Sequence, residues 1–120
     1  MSGEIYFTVV GFSRYYDHKP FRIGALIRCR KEPENTFDGE AIRVSLPIMG
    51  TIGYIANSPQ TLAGGTMSAG KLGTFVDDKF HARVMFTTRT KIICRVETEL
   101  TYEQCEAEIK KSMVDNDDFE

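Results

Sequence analysis

The feature that most constrains the fold of this chain is a series of short segments in which apolar and polar residues alternate. A repeat of two residues is typical of a half-buried β-strand, because successive side chains point to opposite faces. In the clearest segment, the residues expected to face a core are Phe80, Ala82, Val84 and Phe86. The sequence predicts strands at residues 5–12, 23–30, 42–47, 50–55, 80–87 and 91–98. Glycine, proline, asparagine and aspartate separate these segments, as turns require.

Two further segments carry helix signals. Ser58 and Pro59 match an N-cap and a first helical position, which predicts a helix from residue 58 to about Lys71. Thr101 and Gln104 match a capping box, which predicts a second helix. That helix should end near residue 113, and its apolar stripe would comprise Tyr102, Cys105, Ile109 and Met113.

Together these elements predict a mainly β fold with one inserted helix and one C-terminal helix. The six short strands suit a small OB-like or SH3-like barrel, with the helices packed on its open edges. The expected organisation is a barrel at residues 5–98, a helix packed on it at residues 99–114, and a disordered acidic tail at residues 115–120.

The net charge of −2 hides a strong asymmetry. Residues 1–96 carry 13 basic and 8 acidic side chains, a net +5, whereas residues 97–120 carry 2 lysines and 9 acidic side chains, a net −7. A basic body can bind phosphate, but it can equally be a solvated surface with a solubilising tail. Charge alone leaves both interpretations open.

The cysteines and the N-terminus bear on compartment. Cys29 and Cys94 lie in alternating segments, where a reduced thiol is a small core residue, and none of the three cysteines has metal-type spacing. Reduced thiols fit a reducing compartment, so we expect an intracellular, cytoplasmic protein, nucleoid-associated if bacterial. The start Met-Ser-Gly-Glu does not resemble a signal peptide, and no run of about 18 apolar residues predicts a membrane span.

Catalytic patterns are not found in the sequence. Neither His18 nor His81 has a nucleophile or carboxylate at a catalytic spacing, and His81 is expected on a surface or groove. No G-x-x-x-x-G-K-[ST] phosphate loop occurs. The sequence therefore predicts a binding protein with no catalytic residue, no metal and no cofactor.

Four blocks in a fixed order carry a family resemblance. They are Val10-Gly11-Phe12-Ser13-Arg14-Tyr15-Tyr16, Arg30-Lys31-Glu32-Pro33-Glu34-Asn35-Thr36-Phe37-Asp38, Ala41-Ile42-Arg43-Val44 and Ile52-Gly53-Tyr54-Ile55. With them, residues of about 5–98 resemble a HIRAN domain, a module that occurs alone in bacteria and fused to SNF2-type helicases in eukaryotes. The resemblance implies an OB-like barrel that binds single-stranded DNA and captures a free 3′ end, in DNA repair or replication-associated processes.

The resemblance also implies roles for individual residues. Arg14 resembles the phosphate-contacting arginine of the family, and a guanidinium can donate two parallel hydrogen bonds to a phosphate. Tyr15 resembles the stacking aromatic residue, whereas Tyr16 is expected to pack against the core or the rim. Tyr54 is a candidate for the floor of the groove. Further phosphate candidates are Arg28, Arg30, Lys31 and Arg43.

The second block supplies the end-reading residues. Asn35 and Phe37 match the family pattern, in which the ring stacks on the terminal base, and Asp38 matches the aspartate at the 3′ hydroxyl. A carboxylate accepts a hydrogen bond from a free hydroxyl but repels a continuing phosphate. Asn35 and Asp38 can also simply cap a turn, and the two roles can coexist. Glu40 departs from the family, which often has a neutral residue there.

Two alternatives remain open. The same groove could hold a peptide or a neighbouring subunit, and the acidic tail could fold over it in place of nucleic acid. A nuclease or other hydrolase is the least favoured. If the chain captures DNA ends, a helicase or nuclease in trans is the expected further partner. The family's far-side aromatic contact has Phe80 and Phe86 as candidates, although their alternation indicates the core.

Overall fold

Six antiparallel strands form the framework of the computed structural model, which describes residues 3–117. They are β1 (Tyr6–Val10), β2 (Leu26–Lys31), β3 (Ile42–Leu46), β4 (Gly50–Ile55), β5 (Lys79–Thr87) and β6 (Ile92–Val96). They close into a barrel in the order β1-β4-β3-β2-β5-β6, so no strand edge is left unpaired. Two helices complete the fold, α1 (Ala69–Leu72) and α2 (Tyr102–Asp117). The predicted mainly β barrel with two helices is confirmed.

The core fills the interior of the barrel with the inward side chains of all six strands. Its largest fully buried members include Phe7, Ile27, Ile42, Ile52, Leu72 and Ile92. Cys29 and Cys94 belong to this core, as their alternating segments predicted, and Cys105 is also buried. Burial raises the pKa of the Cys29 and Cys94 thiols, so both stay protonated near neutral pH.

Two strand predictions were wrong in detail. β2 begins at Leu26, because Gly24 has a positive φ of 93° and Ala25 N–H donates to the Arg22 carbonyl, which forms a turn. Ile23 therefore lies outside the strand and is 68% exposed. In β5, the pairing with β6 shifts register between Val84 and Phe86. This bulge turns Phe86 out of the core, although its alternation predicted burial.

The helix predicted from Ser58 to Lys71 is also wrong. Ser58 begins only a single turn, in which Thr61 N–H donates to the Ser58 carbonyl at 2.9 Å. Gly65 adopts a positive φ of 83°, which a continuing helix does not allow. The real helix, α1, starts after Ser68, whose hydroxyl accepts from Lys71 N–H at 3.3 Å.

The predicted capping box at the start of α2 is confirmed. Gln104 N–H donates to Thr101 Oγ1 at 3.1 Å, and Thr101 N–H donates to Gln104 Oε1 at 2.9 Å. Helix α2 runs on to Asp117, so residues 115–117 of the predicted tail are helical, and its residues 118–120 lie outside the described part. Of the described helices, none has the length and apolar character needed to cross a membrane.

The contact between α2 and the barrel corrects the prediction for His81. Its side chain is only 3% exposed, and its Nε2 lies 2.6 Å from Glu106 Oε2. Tyr102 covers the ring in an edge contact at 4.6 Å between centroids. His81 is therefore buried beneath α2 and lies on neither a free surface nor a groove.

Candidate nucleic-acid interface

A short 3₁₀ turn at Phe12–Arg14 displays the first signature. Gly11 takes a positive φ of 73° before the turn, and the buried Phe12 ring anchors it in the core. Arg14 is exposed, and its guanidinium has no hydrogen-bond or ion-pair partner among the described residues. Tyr15 and Tyr16 are both 43% exposed, so Tyr16 is not packed in the core; its hydroxyl donates to the Met49 carbonyl at 3.3 Å. The turn thus presents one cation, and the two residues after it present two aromatic rings, to solvent.

The second signature lies in the loop of residues 32–40, which connects β2 to β3 and is organised by Glu32. The Glu32 side chain is only 11% exposed. Its Oε1 accepts hydrogen bonds from the Tyr54 hydroxyl at 3.0 Å and from Asn35 Nδ2 at 3.1 Å. Its Oε2 lies 3.8 Å from Arg43 Nε, a buried nitrogen without a hydrogen-bond partner among the described residues. One buried carboxylate therefore ties the loop to β3 and β4.

Asn35 extends the hydrogen-bond network of Glu32 to the tip of the 32–40 loop. Its Oδ1 accepts hydrogen bonds from the backbone N–H of Phe37 at 2.8 Å and of Asp38 at 3.1 Å. The predicted turn-capping role of Asn35 is confirmed. The Phe37 ring is 98% exposed, although leaving a large apolar side chain in water is energetically unfavourable. The loop therefore holds a fixed backbone beneath a fully solvated aromatic ring.

Asp38 is fixed through both of its carboxylate oxygens. Oδ1 accepts from Glu40 N–H at 2.9 Å, which is the predicted turn cap, and Oδ2 accepts from Asn57 Nδ2 at 3.0 Å. The same Asn57 Nδ2 lies 3.1 Å from Glu40 Oε1, and Asn57 Oδ1 accepts from Gly70 N–H at 2.9 Å. Asn57 thus brings two carboxylates together and connects them to α1.

Tyr54 connects the two signatures. Burial raises its pKa to about 12, and the hydrogen bond to Glu32 and the charge of Glu32 add to this effect. A smaller contribution to the raised pKa of Tyr54 comes from the Tyr15 phenol. Hydrogen bonds join Tyr54 through Glu32 to Asn35, and Tyr54 is paired with Val10, which lies just before the Arg14 turn. Tyr54 therefore lies between the Arg14 turn and the 32–40 loop.

The other basic candidates divide into two groups. The Arg28 guanidinium donates two hydrogen bonds to Glu106, and this pairing raises its pKa. Lys31 Nζ donates to the carbonyls of Gly73 at 2.8 Å and Val76 at 2.7 Å. Arg28 is thus engaged in holding α2 and Lys31 in holding the segment that follows α1, whereas Arg30 and Arg43 remain on the outer face of the barrel.

Glu32 and Asn57 hold the candidate site together, but they were not predicted from the sequence. Glu32 lies within the second motif block, and Asn57 follows the last block by two residues, so position was a signal for both. Their roles depend on contacts up to 22 residues away in sequence, such as that from Glu32 to Tyr54. Across residues 3–117, no group of three or more His, Cys, Asp or Glu side chains is arranged to hold a metal ion.

A family model and a solved structure agree with this architecture. The family model described as the HIRAN domain matches residues 2–102. A crystal structure of the HIRAN domain of human HLTF is similar with a TM-score of 0.57 and 18% identity, covering 91% of this chain and 88% of that chain. A protein from Lactobacillus plantarum gives a TM-score of 0.49 and 20% identity, covering 80% of this chain and 98% of that one. Among curated proteins, the comparison finds no match.

Proposed function

Because the chain belongs to the HIRAN domain family, whose members are nucleic-acid-binding modules, we propose that it binds single-stranded DNA at a free 3′ end. The observation that carries this proposal is the hydrogen-bonded path from Tyr54 through Glu32 and Asn35 to Asp38. It fixes a carboxylate beside an exposed aromatic ring, and it begins at Tyr54, which is paired with Val10 just before the Arg14 turn. A helicase or nuclease in trans would act on the captured end.

Affinity would come from the groups that face solvent without a partner. The Arg14 guanidinium, unpaired among the described residues, can donate a bidentate pair of hydrogen bonds to a phosphate. The rings of Tyr15 and Phe37 offer two stacking surfaces, each contributing roughly 1–3 kcal/mol per base without sequence preference. Stacking also explains why a 98% exposed Phe37 is tolerated at the tip of a well-ordered loop.

Selectivity for the end would come from Asp38. Each of its oxygens accepts one hydrogen bond, and a carboxylate has about four lone-pair sites, so it can still accept a bond from a 3′ hydroxyl. A 3′ phosphate would instead meet the Asp38 charge at short range. Glu40, held on the same Asn57 amide, adds a second negative charge there. Glu40 thus strengthens discrimination against a phosphate, even though it reduces the overall attraction for DNA.

Fluorescence anisotropy with labelled oligonucleotides tests the proposal. Two oligonucleotides of the same sequence would end in a 3′ hydroxyl or a 3′ phosphate, and the first should bind more tightly. Asp38→Ala should abolish the difference. Glu34→Ala is the matched control, because it removes a negative charge from an exposed position on the same loop and leaves Asp38 in place, so it should keep the preference. Equal binding of both oligonucleotides would refute end recognition, and no binding at low salt would refute DNA binding.

Arg14→Ala separately tests whether Arg14 contributes affinity by contacting a phosphate. This variant should weaken binding to both oligonucleotides alike, because a phosphate contact carries no information about the terminus. It should also flatten the salt dependence by about 0.7 in the slope of log K against log salt, the contribution of one single-strand phosphate contact. A variant that lost only the 3′ hydroxyl preference would contradict the assignment of Arg14 to phosphate.

A further inference from the structure

A row of outward side chains crosses the barrel from Tyr54 toward β5. The strand pairing places Tyr54 on β4 opposite Arg43 on β3, Arg43 opposite Arg30 on β2, and Arg30 opposite Lys79 on β5. Residues directly opposite each other in neighbouring strands project from the same face of a sheet. Three cations therefore follow one another across three adjacent strands, and the row begins at the Tyr54 end, inside the candidate interface.

The other arginines on the outer face of the barrel lie beside carboxylates. Arg28 pairs with Glu106, Arg83 pairs with Glu97 and Glu108, and Arg95 lies 3.8 Å from Glu4. In the row, by contrast, neither Arg30 nor Lys79 has an ion pair or side-chain hydrogen bond among the described residues. The barrel thus places a carboxylate beside each of these three arginines, whereas in the row only Arg43 faces one and Arg30 and Lys79 have none among the described residues.

Arg43 is the one member of the row that faces a carboxylate. Glu32 Oε2 lies 3.8 Å from Arg43 Nε, too far for a hydrogen bond, and that nitrogen is buried without a partner in the described structure. Like charges placed directly opposite each other destabilise a sheet. An incoming anion would relieve the repulsion between Arg43, Arg30 and Lys79. The acidic pair Asp77 and Asp78, immediately before Lys79, marks the far end of the row.

We propose that Arg43, Arg30 and Lys79 form a phosphate track that carries the DNA strand away from the 32–40 loop, across β3, β2 and β5. This inference rests on the proposed function, because it assigns the path of the same bound strand. Neighbouring strands lie about 4.8 Å apart, so the track spans roughly 10 Å. At about 3.4 Å per nucleotide in a stacked strand, it would contact two or three phosphates beyond the terminal nucleotides.

Salt-dependent anisotropy with oligonucleotides of two lengths tests the track. For a 12-nucleotide strand with a 3′ hydroxyl, Arg30→Gln and Lys79→Gln should each reduce the slope of log K against log salt by about 0.7. The ratio of the affinities at 50 and 200 mM salt should therefore shrink about 2.6-fold for each variant. For a trinucleotide, which is too short to reach the track, neither variant should change affinity.

Arg95→Gln is the matched control, because it removes an outward arginine on β6 whose carboxylate partner is present. The track is refuted if the row variants give the same slopes as Arg95→Gln, or if they weaken the trinucleotide as much as the longer strand. The two proposals fail in different ways. A wild-type protein without 3′ preference, but with row-dependent slopes, would overturn end recognition and keep the track. A preference for the 3′ hydroxyl with unchanged slopes would overturn the track and keep end recognition. No DNA binding at all would overturn both proposals.

Discussion

Replacing Glu32 with alanine should both destabilise the barrel and loosen the proposed end-reading loop. The Glu32 carboxylate accepts one hydrogen bond from Tyr54 and one from Asn35, and its side chain is only 11% exposed. Hydrogen bonds to a charged acceptor contribute about 1.5–3 kcal/mol each. The two bonds share one oxygen, so their loss is not fully additive. We expect Glu32→Ala to lower the free energy of unfolding by about 2–4 kcal/mol.

Thermal and urea unfolding, followed by circular dichroism, measure this effect. For a chain of 120 residues, a loss of this size should lower the melting temperature by roughly 8–16 °C. Glu34→Ala is the matched control, because Glu34 is exposed on the same loop and the substitution removes the same charge. The control should change the free energy of unfolding by less than about 0.5 kcal/mol. Glu32→Gln retains an oxygen acceptor and should lose only about 1 kcal/mol.

The same variants connect stability with binding. Without Glu32, Asn35 Nδ2 loses its acceptor, so the Asn35 oxygen that orients Phe37 and Asp38 is no longer fixed. Glu32→Ala should therefore lose the preference for a 3′ hydroxyl even at a temperature where the barrel is folded. If Glu32→Ala were no less stable than Glu34→Ala, and kept the preference, the role of Glu32 as the organiser of the loop would be refuted.

Three further predictions concern stability. The pKa of Tyr54 is about 12 in the folded chain and near 10 when unfolded, so its contribution to stability should be complete below pH 10 and lost as the pH rises to 12. In urea melts at different pH values, Tyr54→Phe should not show this loss of stability between pH 10 and 12. A Cβ at Gly53 would lie 2.7 Å from Val9 Cγ1, so Gly53→Ala should destabilise the barrel by about 1–3 kcal/mol in urea unfolding; an unchanged midpoint would contradict that packing. Thr101→Ala removes the N-cap of α2 and should lower the free energy of unfolding by about 1 kcal/mol, whereas Thr98→Ala, at an exposed position, should not.

The strands were the most predictable part of the fold. The alternation of Ile42, Val44 and Leu46 predicted a strand at residues 42–47, and β3 is found at Ile42–Leu46. Alternation is a local consequence of side chains pointing to opposite faces, so it can be read along the sequence. The bulge that exposes Phe86 could not be predicted in this way, because it depends on how β5 pairs with β6. The helix predicted after Ser58 was wrong for a related reason. The local N-cap signal at Ser58 favoured a helix, but glycines further along the segment break it.

The candidate interface was only partly predictable. Arg14, Tyr15 and Phe37 were predicted because they match motif positions of the family, and all three are exposed in the structure. Glu32 and Asn57 act inward, by holding other site residues in place, and their importance appears only when distant segments meet. Asn57, for example, contacts Asp38 across 19 residues of sequence. The charge row has the same origin, because Arg43, Arg30 and Lys79 become neighbours only through the pairing of three strands.

The central claim is that this surface distinguishes the 3′ end of a DNA strand from its interior. The most direct measurement compares the dissociation constants of one oligonucleotide carrying either a 3′ hydroxyl or a 3′ phosphate, at a single salt concentration, for the wild-type protein and Asp38→Ala. We expect the wild-type protein to bind the hydroxyl form more tightly and Asp38→Ala to bind both forms equally. Equal binding of both forms by the wild-type protein would contradict it.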